Sequence, residues 1–329
     1  MGVDLPIRRD AAKPLRRPLP RAILTLLPPG PKSMILNRIP RIRQIFTEIW
    51  KVLGALFLWD VIVTAFYFIM PFHAPALPLT LFGTVLALFL GFKSNSAYQR
   101  WWEGRILWGA MVNASRSLAR ASSTFLEGGG AATHDLRRTI ILRQIAYVHA
   151  LRCQLRRQDP APDVLRMLSP EEAQEGLSRA NVANGLLDGT GRRFAQAQRQ
   201  GHIDTIQQSR IESLLIDMAN AQGGMERIKN TPLPNGYRFF PEFFTRLFCV
   251  LLPIGLVETL GIATPVGSTV AGIMFLAALR IGDDLVDPFA NAVHDVPLSA
   301  ICRTIEIDLL QGIGDPAPPP AQPVNGVLW

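Results

Sequence analysis

Charge is scarce in this sequence. Asp, Glu, Lys and Arg together make up 18% of its 329 residues, against roughly a quarter in an average soluble protein, and the mean hydropathy is positive at +0.19. That balance disfavours both a disordered chain and a wholly soluble one. Cysteine is nearly absent too. Cys153, Cys249 and Cys302 are the only three, far apart and without a CxxC pair, so no disulfide framework is available and a reducing compartment fits. The five histidines form no HExxH. His149 and Cys153 lie one helical turn apart and offer two ligands where zinc takes three or four, so a structural role is favoured for them. GxSxG, GxGxxG and the Walker loop are all missing, and Gly189-Thr190-Gly191 lacks the lysine of a phosphate loop. Nothing supports an enzyme, and no cofactor or metal is expected.

What the chain does have is long apolar runs. Four stretches carry most of the hydrophobicity: 49–70, interrupted by Lys51 and Asp60; 77–92, uncharged; 247–264, with only Glu258; and 265–281, with only Arg280. Their lengths suit helices, and about twenty residues at 1.5 Å each cross a hydrocarbon core near 30 Å. The first pair is joined around Pro71, Pro75 and Pro78 and the second around Pro265, with no Lys or Arg in either connector. Each pair therefore reads as an antiparallel membrane hairpin, which puts both termini and the whole middle on one side.

The net charge of +8 says which side. Arg8, Arg9, Lys13, Arg16, Arg17, Arg21, Lys32, Arg38, Arg41 and Arg43 precede the first span, and Asp4 and Asp10 are the only acids before Glu48. By the positive-inside rule that side is the cytoplasm. Topology and anionic lipid account for the basic excess, so nucleic acid is not expected as a partner. The apolar patch 22–27 is too short for a signal-peptide core and meets Pro28 and Pro29 at once, so no cleavable signal is expected.

The organisation expected is a basic cytoplasmic segment 1–46, a first membrane hairpin 47–100, a cytoplasmic helical region 101–238, a second hairpin 239–282, a cytoplasmic segment 283–314 and a mobile proline-rich tail 315–329. Within the middle region, breaks are expected at Gly128-Gly129-Gly130, Asp159-Pro160, Gly189-Thr190-Gly191 and Thr231-Pro232, and a helix start at Ser169-Pro170-Glu171-Glu172.

The second apolar stretch carries a pattern of its own. Thr80, Thr84, Leu88, Phe92, Asn95 and Gln99 recur at helical spacing and share one face, polar at both ends and apolar between. On an isolated helix this is bundle packing or lipid contact. Repeated around a symmetric ring, Leu88 and Phe92 make a narrow apolar constriction of the kind that gates by dewetting. Asp60 and Glu258 are acids inside spans, costly unless paired or wetted, and so are candidates for pairing or for influence on ions.

The same helix runs on as Phe89-Leu90-Gly91-Phe92-Lys93-Ser94-Asn95-Ser96-Ala97-Tyr98-Gln99-Arg100-Trp101-Trp102-Glu103, then Gly104-Arg105 and Leu107-Trp108-Gly109. This segment resembles the bestrophin ion channels. Two further matches look like bacterial bestrophins: Glu226-Arg227-Ile228 with Thr231-Pro232-Leu233-Pro234, and Asp287-Pro288-Phe289 with Asp295-Val296-Pro297-Leu298 and Ile301-Cys302-Arg303. The likeness covers roughly residues 32–312. It implies an all-α membrane protein, a homopentamer with one central pore and four membrane-crossing helices per subunit in two hairpins, in the inner (plasma) membrane of a bacterium. In that family the second span lines a hydrophobic neck, onto whose three rings Phe92, Leu88 and Thr84 map, Thr84 standing where an apolar residue is usual. The family's second, cytoplasmic aperture maps to Ile206, whose bland alternative is an ordinary core isoleucine. Tyr98, Arg100, Trp101, Trp102 and Glu103 are expected to link helices more than to touch ions. Animal members bind calcium through an acidic run after the Pro-Phe step, which this chain lacks, and Asp283, Asp284 and Asp287 are expected to cap or to pair with arginines at a subunit interface.

The resemblance implies passive transport of small inorganic ions, anions as in animal relatives or monovalent cations as in some bacterial ones. The competing readings are a membrane-anchored scaffold without flux and a coupled transporter.

Overall fold

The computed structural model describes residues 42–70, 73, 75–126, 130–324 and 326–329, with side chains from residue 50 onward. Apart from its last residues, the basic segment 1–46 lies outside that range, as does Pro71 of the first connector. Ten α-helices run through the described chain: α1 (Ile42–Ile69), α2 (Leu79–Phe125), α3 (Gly130–Arg156), α4 (Ala161–Met167), α5 (Pro170–Leu177), α6 (Val182–Arg199), α7 (Thr205–Asn230), α8 (Asn235–Leu260), α9 (Thr264–Asp284) and α10 (Leu298–Gly312). Among the described residues no β-strand forms beyond a single bridge between Val324 and Val327.

Three stretches are long and apolar enough to cross a membrane: Trp50–Ile69, Leu79–Phe125 and Asn235–Asp284. The third holds two helices. α8 ends at Gly261, whose φ of +53° suits glycine, and after the short 3₁₀ turn Gly261–Ala263 α9 folds back along it. Phe248 meets Phe275 edge-on at 5.1 Å between ring centroids, and Gly272 faces Cys249. The first pair is held together through the second. α9 and α8 each pack on both α1 and α2, while α1 and α2 scarcely touch. The proline-bearing connector is non-helical over its described residues, and eight or nine extended residues reach about 30 Å, far enough for other helices to stand between its ends.

α2 is a single helix of 47 residues, about 70 Å long, and it carries the chain from the apolar half into the polar half without interruption. The boundaries expected at 46/47, 100/101, 238/239 and 282/283 all fall inside helices. The main core lies in the polar half, around Trp108, Met111, Tyr147, Phe194, Met218 and Phe289. A smaller core of Leu86, Leu90, Phe248, Leu252 and Leu279 holds α2 to α8 and α9.

The helix start at Ser169 is present, with its side chain accepting from the Glu172 amide at 3.4 Å. Asp159-Pro160 separates α3 from α4, Thr231-Pro232 follows α7, and of the break expected at Gly128-Gly129-Gly130 the last residue opens α3 while the first two lie outside the described residues. Gly189-Thr190-Gly191, expected as a break, sits inside α6. The glycine there makes room rather than a turn, because a Cβ on Gly189 would lie 2.1 Å from Nη2 of Arg143. Arg143 is buried and paired with Glu172 at 2.7 Å and Glu175 at 3.0 Å.

The proline-rich tail, expected to be mobile, runs back along α10. Asp315 pairs with Arg138 at 3.0 Å, Ala317 packs on the main core, and the Trp329 carbonyl accepts from the Ala300 amide at 2.7 Å, covering a helix N-terminus whose first amides have no partner within the helix.

Candidate ion-conduction site

The face of α2 singled out in the sequence is on the outside of the subunit. Leu86, Leu90, Lys93 and Ala97 turn inward, which leaves Thr80, Thr84, Leu88, Phe92, Asn95 and Gln99 exposed on the opposite side. Leu88 is 58% and Phe92 56% exposed, so their apolar surface is not consumed by packing within the chain. The Thr84 hydroxyl donates to the Thr80 carbonyl at 2.7 Å. With its proton occupied in the helix, that oxygen is left to present lone pairs outward.

One turn further along, the aromatic and charged motif binds distant segments together. Arg100 donates through Nε to the Val286 carbonyl at 3.0 Å, through Nη1 to the Thr231 carbonyl at 2.8 Å and through Nη2 to the Ile228 carbonyl. Two of these acceptors lie at the C-terminal end of α7, where carbonyls lack helical partners. Trp101 Nε1 donates to the His294 carbonyl at 3.0 Å, and the rings of Tyr98, Trp101 and Trp102 stack in sequence. Glu103 pairs with Arg227, and Lys229 with Asp287 at 2.7 Å. Asp287 also accepts from the Phe289 amide at 3.1 Å. Pro288 and the buried Phe289 seat against Gly104, where a Cβ would come within 2.9 Å of the Phe289 ring. The three sequence motifs are thus one cluster, in which Arg100 and Glu103 tie α2 to α7 and Trp101 ties it to the loop before α10. Arg100→Lys should lower stability by about 1–3 kcal/mol, since an ammonium cannot reproduce a guanidinium fork on three carbonyls; the check is the melting temperature of the purified protein in detergent.

The intramembrane acids part ways. Asp60 is 1% exposed and lies between α1 and α9, accepting from the Ser268 and Thr269 hydroxyls, each at 3.1 Å. It is paired inside the subunit and stands apart from the exposed face of α2. Glu258 is exposed near the end of α8. Ile206, 72% exposed on the first turn of α7, is no core residue of the subunit. Asp204 and Gln207 close a capping box around that turn.

Asp283 pairs with the buried Lys93 at 2.7 Å and Asp284 with Arg280 at 3.1 Å. Together with the Asp287–Lys229 pair, these are contacts within one chain, two of them to lysines and one to an arginine. Among the described residues no group of three metal-ligating side chains gathers. His149 and Cys153 join an ion-pair cluster instead. His149 Nε2 lies 3.0 Å from Glu306, Arg166 reaches the same carboxylate at 2.6 Å, and Cys153 is 3.4 Å from Asp163. Glu306 and Arg143, the centres of the two buried ionic clusters, carry no sequence signal that sets them apart from surface charges.

Comparison with known proteins follows the same outline. The family described as Bacterial/Fungal Bestrophin protein matches residues 33–311. The voltage-dependent anion channel-forming protein YneE of Escherichia coli K12 is 36% identical over 245 residues, 74% of this chain and 79% of that protein. The voltage-dependent anion channel-forming protein mll4386 of Mesorhizobium japonicum is 34% identical over 248 residues, 75% of this chain and 78% of that protein. The crystal structure of a bacterial bestrophin homolog from Klebsiella pneumoniae superposes with a TM-score of 0.76 at 33% identity, covering 82% of this chain and 99% of that one.

Proposed function

Since this chain belongs to the bacterial and fungal bestrophin family, we propose that it conducts small inorganic ions passively, as a homopentamer whose pore is lined by α2. It is an all-α membrane protein of a channel-forming family with a bestrophin-like fold, and it is not an enzyme. In our reading α1, the first half of α2, α8 and α9 cross the inner membrane of a bacterium as two sequential pairs, with both termini and the polar helical half in the cytoplasm. Phe92, Leu88 and Thr84 stack as rings of the neck, and Ile206 narrows the cytoplasmic exit.

The observation that carries this reading is the stripe on α2. Two large apolar side chains stand outside the subunit's cores, on one face, with polar residues above and below them. Repeated around a ring of subunits, that stripe makes a narrow apolar constriction with a polar mouth on either side. The relatives named as anion channel-forming make anions the first ion class to test.

Purified protein in liposomes, assayed in separate Cl⁻, Na⁺ and K⁺ gradients, is expected to dissipate the Cl⁻ gradient. Absence of flux from correctly inserted protein would return the chain to the scaffold reading, and flux that saturates and follows a second ion's gradient would identify a transporter.

A further inference from the structure

Resting on the pore reading above, we infer that Asn95 and Gln99 are the specificity-determining residues of the pathway: their carboxamides receive the ion as it leaves the apolar rings. Both are exposed and continue the face of Thr84, Leu88 and Phe92, Asn95 three residues past Phe92 and Gln99 a further turn on. Neither side chain is spent on a hydrogen bond within the described residues. A carboxamide offers an oxygen acceptor and two N–H donors, so a ring of them can replace lost hydration water around either sign of ion.

Three of the charges nearby have partners within the subunit. Lys93 points inward to Asp283, Arg100 is consumed by three carbonyls, and Glu103 is held by Arg227. The first polar groups an ion meets past Phe92 are therefore neutral dipoles. On the outer side, the Thr84 oxygen is likewise uncharged. A path whose polar groups flanking the constriction are neutral discriminates by the cost of dehydration and by the local dipoles, and a single introduced ring of charge should dominate it.

The test replaces the carboxamide and keeps its shape. Gln99→Glu and Asn95→Asp, reconstituted in liposomes, are expected to shift the cation-to-anion permeability ratio at least about tenfold toward cations, the scale on which a charged constriction enriches counter-ions. In parallel, Gln99→Cys is treated with positively and negatively charged thiol reagents. Cys153, Cys249 and Cys302 are all buried, so the introduced thiol is the accessible one. It should be modified in folded protein, and flux should change in opposite directions with the two reagents. That arm stands even where a carboxylate variant folds poorly. Wild-type ion preference in both carboxylate variants, or a Gln99→Cys protein whose flux ignores reagent charge, overturns the inference while Leu88→Ala/Phe92→Ala still reports on the neck. No flux from inserted wild type overturns the pore reading itself, and the inference with it.

Discussion

Replacing Leu88 and Phe92 together by alanine should raise ion flux at least about tenfold over wild type in the same liposomes. The two side chains are more than half exposed in the subunit, and in the proposed ring of subunits their exposed surface is what a permeating ion would have to pass. An apolar constriction blocks ions by excluding the water that would travel with them. Truncation to alanine widens the passage and lets water in, and a barrier lowered by only 1.4 kcal/mol already gives a tenfold rate. Exposed positions contribute little to folding, so each substitution should change stability by no more than about 0.5 kcal/mol.

The control sits on the same helix. Leu86 and Leu90 face α8 and α9 in the smaller core, and alanine at either should cost about 2–5 kcal/mol of stability without opening the path. If the double variant inserts and conducts no better than wild type, the constriction lies somewhere other than this face of α2.

The sequence made the exposed face of α2 readable because its information is local. A helix repeats every 3.6 residues, so Thr84, Leu88 and Phe92 can be placed on one side from spacing alone, and the inward turn of Leu86 and Leu90 follows. Long apolar runs announce themselves for the same reason, as does the cap at Ser169. What depends on a partner far along the chain was not legible. Gly189 reads as a break until the buried Arg143 guanidinium is set against it. The proline-rich tail reads as mobile until Arg138 and the open N-terminus of α10 are there to receive it. Asp60 could be wet or dry until α9 brings Ser268 and Thr269 to its carboxylate. That α9 packs on both α1 and α2 was not legible either, since a short connector carries no information about which later helix stands against its two neighbours.

Glu306→Ala should cost about 3–5 kcal/mol, among the largest single losses in the polar half. Glu306 is 1% exposed on α10, with His149 Nε2 at 3.0 Å and Arg166 at 2.6 Å. Burial alone would push its carboxyl up, but the hydrogen bonds from His149 and Arg166 outweigh that and hold it down to about 2. Removing the carboxylate leaves the buried His149 without its acceptor and takes from the half-exposed Arg166 its partner, the costly way to break an internal ion pair. The acid dependence follows from the direction of the shift. A carboxyl that titrates near 4.5 unfolded and near 2 folded contributes its full stabilisation above about pH 4.5 and loses it as pH falls toward 2. Wild type should therefore lose melting temperature steeply across that window. Glu306→Gln, which keeps the shape and one acceptor oxygen, should start lower at neutral pH and fall less steeply, narrowing the gap by about 3 kcal/mol as acid removes what the substitution had already removed. Parallel melting curves for the two proteins from pH 6 to 2.5 would mean that the carboxylate's charge does not hold α10 against α3 and α4.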